Sequence, residues 1–149
     1  MTLERKKYEL FMMEALKEAK KAYEEDEIPV GAVIVRNNKV IARGYNQMQT
    51  LHDATAHAEM IAITSAQNSL GSKYLNDCDL YVTLEPCMMC SGAIFLSKVK
   101  KVVYSLQDKE RGHIYKSKES INKKLVIIDN ILENDSKVLI NSFFEKIRK

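Results

Sequence analysis

Two short stretches decide the fold and the chemistry of this chain: HAE at residues 57–59 and PCMMC at residues 86–90. Together they supply the imidazole of His57, the thiols of Cys87 and Cys90, and the carboxylate of Glu59. One imidazole and two thiols suit a catalytic zinc ion, because three protein ligands leave the fourth tetrahedral position open, whereas structural zinc sites are closed by four. The pattern therefore predicts a zinc centre with one carboxylate left free to move protons.

Both stretches are expected where a strand or a loop leads into a helix. A helix N-terminus carries unpaired N–H groups and the positive end of the helix dipole. That field lowers the pKa of a thiol, and the thiolate is the form that binds metal. We therefore expect two helix starts to converge on one Zn²⁺ ion per subunit. Glu59 would accept a proton from water, protonate a ring nitrogen and later protonate the leaving amine.

Two other interpretations of the cysteines are open from the sequence. Cys87 and Cys90 form a C-x-x-C, which also occurs in redox pairs. A closed structural zinc site would need a fourth ligand, for which the sequence offers Cys78, His52 or His113. Without such a role, Cys78 is expected to be a buried, inert thiol and the two histidines to be surface or loop residues.

The composition predicts an ordinary globular protein with an unevenly placed charge. The 149 residues suggest one domain over residues 1–149. No apolar run reaches the ~18 residues of a membrane span, and no signal peptide is evident, so we expect a cytoplasmic protein without a membrane partner. Residues 1–96 carry 10 Lys and Arg against 13 Asp and Glu, whereas residues 97–149 carry 13 against 7. This asymmetry is a weak indication of a polyanionic partner on the C-terminal side.

Apolar periodicity predicts alternating helices and strands. The expected elements are a helix over 3–25, a hairpin of strands 30–35 and 40–45 around Asn37-Asn38, a helix over 56–70, a strand over 79–84, a helix over 86–98, strands over 99–105 and 125–128, and a closing helix marked by residues 140–147. Residues 46–56 and 106–122 are interpreted as loops, and the acidic run 24–27 as a solvated helix end. This order predicts a mixed sheet with helices on both faces, in which consecutive β-α-β units pair in parallel.

The two motifs resemble those of the cytidine/deoxycytidylate deaminase superfamily well beyond the metal ligands. The similar stretches are IPVGAV at 28–33, TAHAEM at 55–60 and VTLEPCMMCSGA at 82–93, and FF at 143–144 with Arg148 resembles the end of that family's last helix. A His-x-Glu followed by Pro-Cys-x-x-Cys is the signature of zinc nucleobase deaminases. Within the superfamily, the chain looks like the bacterial tRNA-specific adenosine deaminases.

This resemblance implies a fold and a set of roles. The fold would be a three-layer α/β/α sandwich around a five-stranded mixed sheet, as in cytidine deaminases. His57, Cys87 and Cys90 would bind zinc, Glu59 would be the proton shuttle, and Asn46 would contact a base flipped into the site. The reaction would be hydrolytic deamination of adenosine to inosine at the wobble position, 34, of a tRNA anticodon.

The resemblance also implies partners. Family members are homodimers in which the partner subunit helps to bind RNA, here the anticodon stem-loop of a tRNA. RNA contacts are implied for the loop after the fourth strand and for the last helix, namely Asp108, Lys109, Arg111, Phe144 and Arg148. Many relatives carry an Asp-x-Lys-x-Gly-Ala run in that loop, whereas residues 108–113 read DKERGH and lack the small residue after the glycine.

Three classes of function compete at this point. A deaminase of a free nucleobase or nucleoside, such as guanine or cytosine, would share the zinc motifs, so these motifs cannot separate it from an RNA-editing enzyme. The basic and aromatic C-terminal segment favours RNA, with Lys137, Phe143, Phe144, Lys146, Arg148 and Lys149. A zinc-binding module without activity would have no need of Glu59. The helix over 86–98, apolar almost all round, independently predicts a two-fold dimer that buries its second face.

Overall fold

The computed structural model describes residues 2–148, so Lys149, one of the basic residues of the predicted C-terminal segment, lies outside the described residues. Within this range the chain forms helices and strands in the order α1 (Leu3–Glu24), β1 (Gly31–Arg36), β2 (Lys39–Tyr45), α2 (Met48–Leu51), α3 (Ala58–Leu70), β3 (Cys78–Leu84), α4 (Met88–Ser97), β4 (Lys101–Leu106), α5 (Ile114–Ser120), β5 (Val126–Ile128) and α6 (Glu133–Arg148). No helix of residues 2–148 is both long enough and apolar enough to cross a membrane.

The strands of residues 2–148 form one mixed sheet of five, in the order β2-β1-β3-β4-β5. β1 pairs antiparallel with both β2 and β3, while β3–β4 and β4–β5 are parallel. Parallel pairing was therefore correctly predicted for the unit β3-α4-β4. It is wrong for β2-α3-β3, because β1, the hairpin partner of β2, occupies the position between those two strands.

Helices cover both faces of the sheet, which confirms the predicted three-layer α/β/α architecture. Side chains alternate along each strand, as the pleat requires. Ala32 and Ile34 of β1 pack in a core with α3, α4 and α5, whereas Val33 and Val35 pack in a second core with α1. α6 contacts α1 and β4, and the Ser136 hydroxyl on α6 donates to that of Ser105 on β4.

The backbone confirms the predicted turn at Asn37-Asn38 and the predicted end of the helix over 56–70. Asn37 and Asn38 both have positive φ, 51° and 60°, as the two central residues of a type I′ hairpin turn require. Gly71 ends α3 with φ 61° and donates its N–H to the carbonyl of Asn68. At this position glycine avoids the steric cost that a Cβ would carry.

Four local predictions are wrong. The loop interpretation of 46–56 missed the single turn α2, and that of 106–122 missed α5. Pro86 was expected in the first turn of its helix, but α4 begins at Met88 with Cys87 as its N-cap, so Pro86 precedes the cap. Glu27, interpreted as part of a solvated run, is 1% exposed and accepts hydrogen bonds from the N–H groups of Gln49 and Thr50.

Candidate metal centre

The three predicted metal ligands lie at the starts of two helices. His57 is the N-cap of α3 and Cys87 is the N-cap of α4, while Cys90 is the third residue of α4. β3 ends at Leu84, so only Glu85 and Pro86 separate the strand from the first thiol. Because α3 and α4 lie on the same face of the sheet and contact each other, their N-terminal ends bring the imidazole and both thiols together.

The geometry of this cluster fits zinc. The ligand atoms of His57, Cys87 and Cys90 all lie within 4.8 Å of one another. The Nδ1 atom of His57 is 3.6 Å from the Sγ of Cys87 and 3.6 Å from that of Cys90. Zinc bonds are about 2.3 Å to sulfur and about 2.0–2.1 Å to nitrogen. At a tetrahedral angle, a nitrogen and a sulfur bound to the same ion therefore lie about 3.6 Å apart. The donor set is therefore both chemically and geometrically suited to this ion.

The two thiols ionise as a pair. The hydrogen bond between the Cys90 and Cys87 side chains is the main cause that lowers the pKa of Cys87 to about 3. His57 lowers it further. The same contact, together with burial, raises the pKa of Cys90, because a second negative charge beside the first is unfavourable. One sulfur thus ionises readily, and a dipositive ion removes the penalty for ionising the other.

Glu59 lies beside the cluster but is not part of it. It is the second residue of α3, is 4% exposed, and lies next to the Cys90 thiol. Burial raises the pKa of Glu59 to about 7, while its own backbone N–H and His57 oppose the shift. A carboxyl group with a pKa near neutrality can both accept and donate a proton, as a general acid–base catalyst must.

Asn46 directly follows β2, and its side chain is hydrogen-bonded to the start of α3, the helix that has His57 as its N-cap. Its side-chain Oδ1 accepts from the backbone N–H of Ala58 at 2.8 Å, and its Nδ2 donates to the carbonyl of Ile28 at 3.1 Å. These contacts fix the start of α3 next to His57. They use one N–H and one lone pair of the amide, and the role of Asn46 in contacting a base stays a prediction.

The alternatives for the cysteines find little support in the geometry. Among residues 2–148, neither Cys78, His52 nor His113 joins the metal-ligand cluster. Cys78 is fully buried at the start of β3, the end of that strand remote from Cys87, which confirms its predicted burial. His52 ends α2 and His113 precedes α5. The cluster therefore has three ligands rather than four, as an open catalytic site requires.

The predicted RNA contacts divide into two groups. Lys109 and Arg111 are exposed, and the positive charge of Arg111 opposes the rise in the pKa of His57 that the Cys87 hydrogen bond chiefly causes. Asp108 instead holds its own loop, because its Oδ1 accepts from the N–H groups of Glu110 and Arg111. Lys118, a further basic residue after the fourth strand, donates to the carbonyls of Lys123 and Leu125.

The second group lies on α6. Phe144 and Arg148 are exposed, while Phe143 is buried against Tyr23 of α1. α6 lies on the α1 side of the sheet, whereas the metal cluster lies on the side of α3 and α4. The roles of Phe144 and Arg148 in RNA binding therefore stay predictions. Phe143 is a core residue.

Sequence reasoning gave no role to one residue at the site. Glu85 lies inside the quoted motif, directly after β3, and its buried carboxylate accepts from the backbone N–H of Asp108. The signal was present in the sequence as an acid between an apolar strand and a proline, but its partner lies 23 residues further along the chain.

Comparison with known proteins agrees with this site. The model of the cytidine and deoxycytidylate deaminase zinc-binding region matches residues 5–106, and the chain belongs to this family. The tRNA-specific adenosine deaminase of Aquifex aeolicus (strain VF5) is 43% identical over 145 residues, which cover 94% of this chain and 95% of that protein. The predictions of the family, of the fold and of zinc as the cofactor are thereby confirmed.

Solved structures extend the comparison. A chain from biochemical and structural studies of A-to-I editing by tRNA:A34 deaminases at the wobble position of transfer RNA has a TM-score of 0.82 and 39% identity, covering 87% of this chain and 97% of that one. Guanine deaminase from Bacillus subtilis is 40% identical with a TM-score of 0.64, covering 72% of this chain and 66% of that one.

Proposed function

We propose that this protein deaminates adenosine to inosine at the wobble position, 34, of a tRNA anticodon. The observation that carries the proposal is the buried carboxylate of Glu59 beside an open three-ligand cluster, in a chain that shares 43% identity with a tRNA-specific adenosine deaminase over almost its whole length. The geometry supports hydrolysis at a zinc centre, and the extent of the similarity supports the substrate.

His57, Cys87 and Cys90 would hold the zinc ion. When bound, such an ion acidifies a water molecule so that hydroxide is accessible near neutral pH. Glu59 would take one proton from the attacking water and deliver it to a ring nitrogen of the base. It would then take the second proton, from the hydroxyl group added to the ring carbon, and deliver it to the amine as the C–N bond breaks. Its burial excludes bulk water from the carboxylate and raises its pKa, so the protonated form is accessible as well as the carboxylate.

Asn46 would orient the flipped base. Its amide retains one N–H and one lone pair after its contacts with Ile28 and Ala58, and those contacts hold it rigidly next to His57. Because this amide is already immobilised, it can orient the edge of a base without a further loss of side-chain entropy on binding.

The alternative is a deaminase of a free base, which the similarity to guanine deaminase favours. That similarity covers 72% of this chain and 66% of the other, whereas the similarity to the tRNA-specific enzyme covers more than nine-tenths of both. Exposed Lys109 and Arg111 also suit a phosphate backbone better than an uncharged base. We therefore favour the RNA substrate.

The proposal includes a homodimer. Met88 and Leu96 of α4 are 68% and 71% exposed, although they belong to the helix that carries both thiols. A groove of about 510 Å³ at α2 and α3 is lined by Leu51, Met60, Ile61 and six other residues. A two-fold contact would cover these apolar surfaces with the same patch of a second copy.

We assign this activity to one domain over residues 1–149 in the cytoplasm. The two hydrophobic cores lie on the two faces of one sheet, which supports a single unit. The cysteines Cys78, Cys87 and Cys90 are unpaired thiols, which suits a reducing compartment where tRNA is used.

One experiment tests the proposed reaction. The purified protein is incubated with an anticodon stem-loop that carries adenosine at the wobble position, and free adenosine, cytosine and guanine are tested in parallel. We expect inosine in the stem-loop and a kcat/KM for it well above that of each free compound. Faster turnover of guanine or cytosine than of the stem-loop would assign the protein to the free-base enzymes instead.

A further inference from the structure

The carboxylate of Glu85 has no part in the chemistry described above, yet it is buried at the metal centre. It lies between β3 and Cys87, and 7% of the residue is exposed. Among residues 2–148, no lysine, arginine or histidine forms an ion pair with it. A buried carboxylate without a cation is costly unless hydrogen bonds compensate it, so its partners indicate its role.

The hydrogen-bond partner of Glu85 lies in one loop, residues 107–113. The N–H of Asp108 donates to Oε1 of Glu85 at 3.2 Å. A Cβ at Gly112 would overlap the same oxygen, so Glu85 is close to both Asp108 and Gly112 of the 107–113 loop, which connects β4 to α5.

Gly112 shows how closely the loop is seated on this carboxylate. A Cβ at Gly112 would overlap Oε1 and Cδ of Glu85 and the carbonyl oxygen of Asp108. The N–H of Gly112 donates to that same carbonyl at 2.9 Å, and the N–H of His113 donates to the carbonyl of Pro86 at 3.0 Å. The glycine is thus required by close approach, and the loop is attached to the chain immediately before Cys87.

We propose that Glu85 is a positioning residue for RNA binding: it fixes the 107–113 loop against the start of α4, so that Lys109 and Arg111 stand beside the zinc centre. The proposal rests on the proposed function, because it takes the loop as an RNA contact. Glu85 itself touches neither base nor metal. Its effect passes through the backbone N–H of Asp108 and the close packing against Gly112.

The first measurement needs no RNA. Amide hydrogen exchange of residues 107–114 is compared in the zinc-loaded wild type, Glu85→Ala and Glu85→Gln. We expect exchange in Glu85→Ala to be at least tenfold faster, because the N–H of Asp108 loses its acceptor and the loop loses its contact with the carboxylate. Glu85→Gln keeps one acceptor oxygen and should fall between the two. Zinc content should stay at about one ion per chain in all three.

A matched control separates loop positioning from loss of stability. Glu18 is also a buried carboxylate, 3% exposed, but it lies on α1 and pairs with Lys21 and Arg43. Glu18→Gln should lower stability without changing exchange in the 107–113 loop. It should also leave the KM for the stem-loop unchanged.

The second measurement uses RNA. Glu85→Ala should raise the KM for the stem-loop by about tenfold while kcat changes by less than about threefold, because the loop binds substrate and does not move protons. The dissociation constant, measured in a Glu59→Ala background without turnover, should rise by the same factor. A general loss of structure would lower kcat and zinc content together.

Gly112→Ala gives an independent approach to the same contact. Its methyl group should displace the loop and weaken stem-loop binding by itself. In a Glu85→Ala background it should cost less than alone, because the carboxylate that it meets is absent. Such non-additivity is expected for residues in contact.

Two results would overturn the inference. Unchanged exchange in Glu85→Ala would mean that the carboxylate does not fix the loop. Faster exchange with an unchanged dissociation constant would mean that the loop does not position RNA. Failure of the wild type to bind the stem-loop would reject the proposed function, and with it the RNA role of Glu85, while the exchange data would still decide whether Glu85 fixes the loop.

Discussion

At the scale of single residues, Glu59 and the metal ligands make separate contributions that mutation should distinguish. Glu59 lies outside the three-ligand cluster, so Glu59→Ala should fold, keep its zinc and bind the stem-loop. Its turnover should fall by a factor of about 10² or more, the range that a general acid–base group contributes. Zinc analysis and single-turnover kinetics check this prediction. If Glu59→Ala lost its zinc, the assigned role would be wrong.

The cysteines offer a comparison within one chain. Cys87→Ala should lose both zinc and activity, because it leaves two protein ligands. Cys78→Ala should keep about one zinc per chain, although removing a fully buried side chain lowers its stability. Metal content by mass spectrometry and thermal unfolding measure both effects. Full zinc content in Cys87→Ala would exclude that residue as a ligand.

At the scale of elements, the sequence predicted the helices and strands that have a strong hydrophobic periodicity or a turn signal at their ends. The Asn37-Asn38 turn and the end of α3 at Leu70 are examples, because each depends on neighbouring residues. α5 was missed because Ile114 is its one buried apolar residue, so its seven residues show no hydrophobic period. The metal cluster was predictable because its ligands sit in two recognisable motifs.

Features that depend on distant partners were not predictable in the same way. α2 is a single helical turn. Its free N–H groups at Gln49 and Thr50 donate hydrogen bonds to the carboxylate of Glu27, which is more than 20 residues away in sequence. Local composition suggested that the acidic run 24–27 was solvated. Likewise, no local pattern indicates that β1 lies between β2 and β3.

Glu27 therefore yields a prediction at this scale. Glu27→Ala leaves two backbone N–H groups and the hydroxyl of Thr50 without an acceptor, and should lower the free energy of unfolding by about 3 kcal/mol. Glu24→Ala, at the exposed end of α1, should change it by less than about 0.5 kcal/mol. Urea unfolding measures both. Equal effects would show that Glu27 does not hold α2.

At the scale of the whole molecule, the proposed dimer can be tested without harming the fold. Leu96 is 71% exposed on α4, so Leu96→Glu should leave the isolated subunit intact and produce a monomer. Val138→Glu, at a 65% exposed position on α6, should remain a dimer. Light scattering at micromolar concentration reports the mass. A stable wild-type monomer under those conditions would defeat the dimer proposal.

The charge distribution yields a prediction about salt. Binding of the stem-loop should weaken with salt, with a log–log slope of about −0.7 for each phosphate neutralised on a single strand. Neutralising exposed Arg111 and Lys116 together should weaken binding and flatten the slope while zinc content is unchanged. Fluorescence titrations from low to high salt measure this. Equal wild-type affinity at all salt concentrations would argue against an RNA substrate.

The sheet order also limits how two copies can associate. β2 and β5 are the edge strands of the sheet, and an open edge is a template for pairing with another chain. β2 carries a bulge opposite Ile34 and Val35, and its Arg43 is held by Glu14 and Glu18, while β5 is three residues long. Irregular, charged and short edges of this kind resist strand addition and aggregation. Association of two subunits through helices, rather than a continuous intermolecular sheet, is the arrangement that these edges leave open.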